Sequence, residues 1–398
     1  MDALTTPLPK DWEVKTFRDI STINQGLQIP ISQRLKAPTE HAKFYITIQA
    51  LNNRKEFEYI KTYNESVVCH KDDILMTRTG NTGMVITNIE GVFHNNFFKI
   101  NFDRTLINKD FLVYFLSLEQ TQKTILKKAG TSTIPDLNHN DFYSLSIPLP
   151  PLNEQIAIAN ILSALDHYLC SLDALILKKE SVKKALSFEL LSQRKRLKGF
   201  NQAWQRVRLG TYKYRRGSFP QPYGNPQWYS DNGMPFVQVY DVGENFKLNQ
   251  KTKQKISKIA QPMSVFVPKN SVIITLQGTI GRVALTQYDC YCDRTILIFD
   301  NNTLNDVNKY FFVLSLFTKF EEEKRKADGS IIKTITKQTL KDFEIPLPPL
   351  NEQIAIANIL SGLDNEIISL KNKKRQFENI KKALNHDLMS AKIRVLKQ

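Results

Sequence analysis

Cysteine is scarce in this 398-residue chain: Cys69, Cys170, Cys290 and Cys292, with no CxxC pair among them. The six histidines are scattered, so the two close ligand pairs of a structural zinc site are missing. Reduced, structural thiols and no bound metal are therefore expected. No apolar run reaches the roughly 18 residues of a membrane-crossing helix. The opening MDALTTPLPKDW lacks the basic stretch and apolar run of a signal peptide. A soluble, cytoplasmic protein is the expectation. Enzyme signatures are missing as well. There is no GxxxxGK[ST] phosphate loop, no carboxylate cluster with a nearby lysine as in nuclease centres, and no serine or cysteine in a nucleophile setting.

Negative charge is also in deficit. Against 55 lysines and arginines stand 39 aspartates and glutamates, a net charge of +16. Such an excess favours a polyanion, because phosphate contacts release condensed counterions. The 41% apolar content and the length allow two or three domains, each with its own core.

What the chain does contain is a repeat. IPLPPLNEQIAIANILSALD (147–166) returns as IPLPPLNEQIAIANILSGLD (345–364), 198 positions later. The same offset carries KKAL from 183–186 to 381–384, Gly80 to Gly278 and Gly83 to Gly281. DWEVKTF near the start answers AWQRVRL at 203–209. The chain is thus a tandem duplication in which each unit has a diverged front and a nearly unchanged back.

The back portions read as helices of about 40 residues. Ile158, Leu162, Leu165, Leu169, Leu172, Ile176, Lys179, Lys183, Leu186 and Leu190 follow 4,3 spacing. So do Ile356, Leu360, Leu363, Ile367, Leu370, Lys374, Phe377, Lys381, Leu384 and Leu388. Such heptad stripes pack along their length. Each begins after PLPPLNEQ, where proline stops any upstream helix and Asn153 or Asn351 is expected to cap the first turn. Parallel packing would oppose Lys183 to Lys381; antiparallel packing gives each seam lysine an apolar partner, so antiparallel is expected. Packing of each stripe on its own domain is the alternative.

The front portions mix signals. FYITIQAL, SVFVPKNSVIITL and RTILIFD are strand-like, while KDFLVYFLSLEQTQKTILKKAG and NKYFFVLSLFTKFEEEKRKADG read as amphipathic helices, each ending at a glycine. GNTG and GTIG match the GxxG of one RNA-binding module, but both follow strand-like runs and read first as hairpin turns. GNPQW (224–228) approaches the (D/N)PP(Y/F/W) motif of adenine-N6 methylating enzymes. Gln227 replaces the second proline, however, and the first unit has no counterpart, so Asn225 and Pro226 read as a turn before a strand. There remain basic and amide-rich loops. Arg34, Lys36, Arg54, Arg78, Asn81, Thr82, Lys127 and Lys128 are DNA-binding candidates in the first unit. Arg215, Arg216, Lys251, Lys253, Gln277, Thr279, Arg282 and Lys333 are those in the second. Arg, Asn and Gln can pair with purine edges, and Lys mainly meets phosphate.

Two diverged globules, each followed by IPLPPLNEQIAIANIL and a long helix, resemble the specificity subunit of a type I restriction–modification system. RRGSFPQPYGNPQWYSDNGMPFV is similar to the opening of many of that family's target recognition domains, with SFP replacing the usual threonine-proline. The resemblance covers essentially the whole chain and implies an α/β (α+β) fold. Target recognition domains would span 1–150 and 199–348, with helices at 151–198 and 349–398 packed as an antiparallel coiled coil with pseudo-twofold symmetry. It implies a non-catalytic subunit that reads a bipartite sequence in double-stranded DNA, its helices spacing the domains. Two methyltransferase subunits would dock on the repeated block, at Pro150, Asn153, Glu154, Gln155, Pro348, Asn351, Glu352 and Gln353. ATP-dependent restriction subunits would then join. S-adenosylmethionine would belong to the partner, leaving this chain with no cofactor. A specificity module of another methylation-based defence system and a stand-alone DNA methyltransferase are the alternatives.

Overall fold

The computed structural model describes residues 8–52, 57–243, 245–278, 280–326 and 337–395. Two compact units result, one of them discontinuous in sequence: Met1–Ala174 joins Lys371–Gln398, while the single stretch Leu175–Leu370 forms the other. The repeated helices run over Leu152–Leu191 and Leu350–Met389, 40 residues each. Each unit therefore owns one globule, the first half of one long helix and the second half of the other.

Both globules have the same topology. In the first, Ser21–Gln25, Phe97–Phe102, Ile74–Thr77 and Val85–Ile86 form an antiparallel sheet in that order. A second sheet orders Tyr59–Ile60, Lys43–Ile46, Gly91–Phe93 and Val68–Cys69, with Lys43–Ile46 and Gly91–Phe93 parallel. The second globule repeats this. One sheet comprises Tyr214–Arg216, Ile296–Phe299, Val272–Thr275 and Val283–Leu285. The other comprises Gln254–Ile256, Tyr229–Val237, Cys290–Cys292 and Val265–Val267. The four cysteines are free thiols; only Cys170 is exposed.

A two-stranded ribbon closes each globule. Glu13–Thr16 pairs antiparallel with Ser146–Leu149, and Gln205–Arg208 with Glu344–Leu347. The IPLP of the repeat is thus the last strand of its globule, and the DWEVKTF/AWQRVRL similarity marks the strand it pairs with. Proline is tolerated there because a two-stranded ribbon leaves one edge of each strand unpaired.

Sequence expectation and structure part at three places. KDFLVYFLSLEQTQKTILKKAG is two helices, Lys109–Leu116 and Glu119–Ala129, broken at Ser117–Leu118; the second does end at a glycine, Gly130, at φ +88°. FYITIQAL is a strand only to Ile46 and turns helical over Ile48–Asn52. The long helices start at Leu152 and Leu350, one residue before the asparagines expected to cap them. The amides of Glu154 and Gln155 bond the carbonyl of Pro151, and those of Glu352 and Gln353 the carbonyl of Pro349. The residues at the caps are these prolines, while the Asn153 and Asn351 side chains accept from the first-turn amides of Glu154 and Glu352 at 3.0 and 2.9 Å.

Within each unit the two long-helix segments run antiparallel. In the first, Asp166 pairs with Lys381, Asp173 with Lys374 at 2.7 Å, and the Tyr168 ring lies 4.7 Å from Phe377. In the second, Lys179 pairs with Glu366 at 2.8 Å and Lys183 with Asp364. The seam lysines do not meet the apolar partners that the stripe predicts; they meet acids. Lys374 meets an aspartate and Lys179 a glutamate, while Lys183 and Lys381 each meet an aspartate and lie over an aromatic ring, Phe246 and Tyr114 respectively. The same aspartates accept hydrogen bonds from Tyr114 and Tyr310. Burial, together with those carboxylates, holds both phenols above their ordinary pKa. Ile158 and Leu162 enter the first globule's core with Leu388 and Met389, whereas Leu190 and Leu191 enter the second's with Ile356 and Leu360. Each helix packs its start on its own globule and its end on the other repeat's.

Candidate nucleic-acid interface and partner face

The basic loops separate into groups once their contacts are known. Arg34 is mostly buried. It donates to the carbonyl of Ile29 at 2.7 Å and pairs with Glu58 at 3.0 Å, where Lys36 joins at 2.8 Å. Burial works against ionisation of Glu58, but hydrogen bonds from Lys36 and Arg34 keep its pKa below the ordinary value. Arg34 is thus a structural tie, while Lys36 keeps an exposed ammonium. Arg78 likewise pairs with Asp136 at 2.6 Å and lies over the ring of Phe98.

Around Arg78 two loops are fastened together. The turn between Ile74–Thr77 and Val85–Ile86 contains Gly80 at φ +80° and Gly83 at φ +90°, which only glycine adopts without strain. This is the hairpin reading of GNTG. The hydroxyl of Thr82, itself buried, lies 2.7 Å from the carbonyl of Pro135, and the amide of Leu137 donates to the carbonyl of Arg78 at 2.9 Å. Thr79 donates its hydroxyl to Asp136. Thr82 is therefore a fastener, whereas Asn81 is exposed at the tip. Lys127 and Lys128 sit in the last turn of the helix leading to the second loop. Lys127 is exposed and Lys128 bonds Ser144 at 2.8 Å.

In the second globule Arg216, Lys251 and Gln277 are exposed. Arg215 donates to the carbonyl of Phe266 at 3.1 Å, and Arg282 to that of Val242 at 3.1 Å. Lys253 lies 5.0 Å from the Tyr240 ring centre. Arg54, Thr279 and Lys333 fall outside the described residues. Asn225 accepts from the amide of Gln227 at 3.1 Å and opens a short 3-10 turn before Tyr229–Val237, so GNPQW is a turn ahead of a strand.

The repeated block differs from expectation. Glu154, Gln155, Glu352 and Gln353 are each 1% exposed, and Pro150 and Pro348 are buried. Their polar atoms are used internally. Glu154 takes the forked guanidinium of Arg394 at 2.7 and 2.9 Å and the indole N–H of Trp12 at 3.1 Å. Glu352 takes Arg196 at 3.2 and 2.6 Å and Trp204 at 3.1 Å. Gln155 accepts from the amide of Asn108 and donates to the carbonyl of Pro150, both at 2.9 Å. Gln353 does the same with Asn308 and Pro348, at 2.9 and 2.8 Å. These six residues serve as internal ties, and a partner reaching them would have to break satisfied buried bonds.

The block's outward face carries other residues. Asn153, Ile156, Asn160 and Ile161 are exposed, as are Asn351, Ile354, Asn358 and Ile359. The isoleucines are 41, 36, 41 and 39% exposed. Spacing of three and four residues puts Asn153, Ile156 and Asn160, and likewise Asn351, Ile354 and Asn358, on one helix face, with Ile161 and Ile359 turned to its edge. Sequence reading missed these isoleucines; the signal was that they fall off the heptad seam yet are apolar and identical in both copies.

Among the described residues no group of three or more His, Cys, Asp or Glu could hold a metal, and no helix is long and apolar enough to cross a membrane.

Residues 9–180 and 221–379 match the family described as the type I restriction modification DNA specificity domain. The chain belongs to this specificity family. Two relatives come from Methanocaldococcus jannaschii. One, named for the specificity subunit of the type I restriction enzyme MjaX, is 27% identical over 98% of this chain and 95% of its own. The specificity subunit of type I restriction enzyme MjaVIII is 25% identical over 98% and 94%. In fold the chain is similar to the S subunit of a type I restriction–modification system from M. genitalium, with TM-score 0.62, 17% identity and 97% and 99% coverage. The HsdS subunit of Thermoanaerobacter tengcongensis gives 0.50, 19%, and 99% and 100%. The specificity family accounts for the two-fold occurrence of one domain type, one per globule.

Proposed function

We propose that this chain is the non-catalytic DNA-recognition subunit of a type I restriction–modification enzyme. Each globule reads one half of a bipartite duplex sequence. The exposed isoleucine faces of the repeated block receive two methyltransferase subunits, which bring S-adenosylmethionine, and ATP-dependent restriction subunits join that assembly in the cytoplasm. The observation that carries this reading is the contrast between the two units. They share strand order and the Glu–Arg–Trp tie, yet differ in their loops, as suits two equivalent partners and two different half-sites. The net charge of +16 supports a phosphate-bearing ligand.

The test is to co-express the chain with its methyltransferase and sequence the methylated bases. A split motif is expected, and replacing residues 17–145 by a relative's globule should change one half of it alone. The purified chain without partner should transfer no methyl group. Methyl transfer by the isolated chain, or a swap that alters both halves, would overturn the reading.

A further inference from the structure

The fastened loops of the first globule border an open, shallow cleft of about 570 Å³, lined by Asn81, Thr82, Met84, Gln122, Leu126 and Ile134 among others. Its chemistry is unusual for so basic a chain. The one guanidinium on the loop, Arg78, is neutralised by Asp136. The carbonyl of Gly83 is held by the Gln122 amide at 2.7 Å, and that of Pro135 by Thr82. What these bonds leave free is uncharged. The Asn81 side chain is exposed and makes no hydrogen bond among the described residues, and Ile134 stands 62% exposed. Charge is kept to the side, on Lys127, which follows the cleft-lining Leu126.

An uncharged tip with one amide and one large apolar group, flanked by lysine and held rigid, suits a base edge better than phosphate. In the major groove an A·T pair offers adenine N7 and N6–H₂ beside the thymine methyl. Asparagine pairs with the first two through both atoms of its amide, and apolar side chains contact the methyl. Lysine suits the adjoining phosphate. We propose that Asn81 and Ile134 together read one A·T pair of the half-site recognised by the first globule, with Arg78, Thr82 and Asp136 as positioning residues. The proposal rests on the DNA-recognition reading above.

The test uses the chain assembled with its methyltransferase and duplexes carrying the motif found by methylation sequencing. Base analogues remove one contact at a time: deoxyuridine for thymidine deletes the methyl, and 7-deazaadenine deletes N7. With wild type, at one A·T pair of the first half-site, deoxyuridine should weaken binding about fourfold, as expected for one methyl group. The deazapurine should weaken it at least about fivefold. Ile134→Ala should be blind to deoxyuridine there and still sense 7-deazaadenine; Asn81→Ala should show the reverse. Analogues in the other half-site should affect both variants as they affect wild type, which also verifies that the variants are folded. The proposal is overturned if that half-site has no A·T pair or if both variants keep full sensitivity to both analogues. It is overturned too if Ile134→Ala loses partner assembly while base discrimination is unchanged. A wild-type complex with no sequence preference would instead overturn the DNA-recognition reading, and this assignment with it.

Discussion

The guanidinium of Arg196 reaches the buried carboxylate of Glu352 at 2.6 Å, and these two residues are the repeat counterparts of Arg394 and Glu154, which form the same fork in the other unit. In each case the acid comes from one copy of the repeat and the arginine from the other. The seam pairs obey the same rule: Lys183 meets Asp364 and Lys381 meets Asp166. Each unit is closed by chain that lies far away in sequence, and the closing residues are complementary by virtue of the duplication.

Arg196→Ala should therefore cost more than a surface ion pair. Glu352 is 1% exposed and would keep only the Trp204 N–H, leaving a buried charge without its cation. Losses of about 3–5 kcal/mol are typical when one member of a buried pair is removed. Adding Glu352→Gln should restore part of the loss, since the charge is gone. Thermal or denaturant unfolding of both variants checks this; a double variant worse than Arg196→Ala would contradict it.

Because the complementarity is internal to one repeat, residues 1–198 carry Glu154, Asp166, Lys183 and Arg196 together. The half-length chain should form a homodimer, each protomer supplying residues 173–197 where the full chain supplies 371–395. Sedimentation should give a dimer at micromolar concentration, and Arg196→Glu should shift it to monomer. A wild-type half-chain that stays monomeric would show that the swapped pairs do not drive association.

Much of this was legible in the residues, and where it was not the reason is physical. The heptad stripe located both helices, and extending it one turn upstream lands on Glu154 and Gln155, three to four residues before Ile158, on the inward face. The family resemblance places them on a docking surface, and nothing nearby in sequence announces the Arg394 and Trp12 whose N–H groups donate to Glu154. Arg78 was assigned to DNA for the same reason, its partner Asp136 lying 58 residues away. Loop tips such as Asn81 were placed correctly on the surface because glycine spacing fixes the hairpin, whereas the fastening of that hairpin to residues 131–136 is tertiary.

Acid should loosen one tie of the first unit. The Lys123 ammonium, together with that of Lys382 on the other carboxylate oxygen, lowers the pKa of the Glu119 carboxyl to about 2 from an ordinary 4.5. A carboxylate with a lowered folded-state pKa stabilises the fold above its unfolded value and loses that contribution as protons bind. The gap in melting temperature between wild type and Glu119→Gln should be small, as the pair is exposed, constant above about pH 4.5, and should close as pH falls towards 2. A gap that widened in acid would mean that Glu119 acts otherwise.

The outward isoleucines provide the last prediction. Ile156 and Ile354 are 41% exposed on identical surroundings, so aspartate there leaves each core intact and places a charge where apolar contact is expected. Charge at the centre of an apolar patch removes binding, while the fold is unaffected because no buried group is left unpaired. Ile156→Asp should thus leave one intact face and yield a complex with a single methyltransferase, as should Ile354→Asp; the double variant should hold none. Native mass spectrometry reads the stoichiometry directly, and unchanged melting of the free chain verifies the fold. If the double variant still held two methyltransferases, docking would lie elsewhere on the units. If one substitution removed both methyltransferases, the two faces would not be independent, and the equivalence of the repeated blocks as two separate sites would fail.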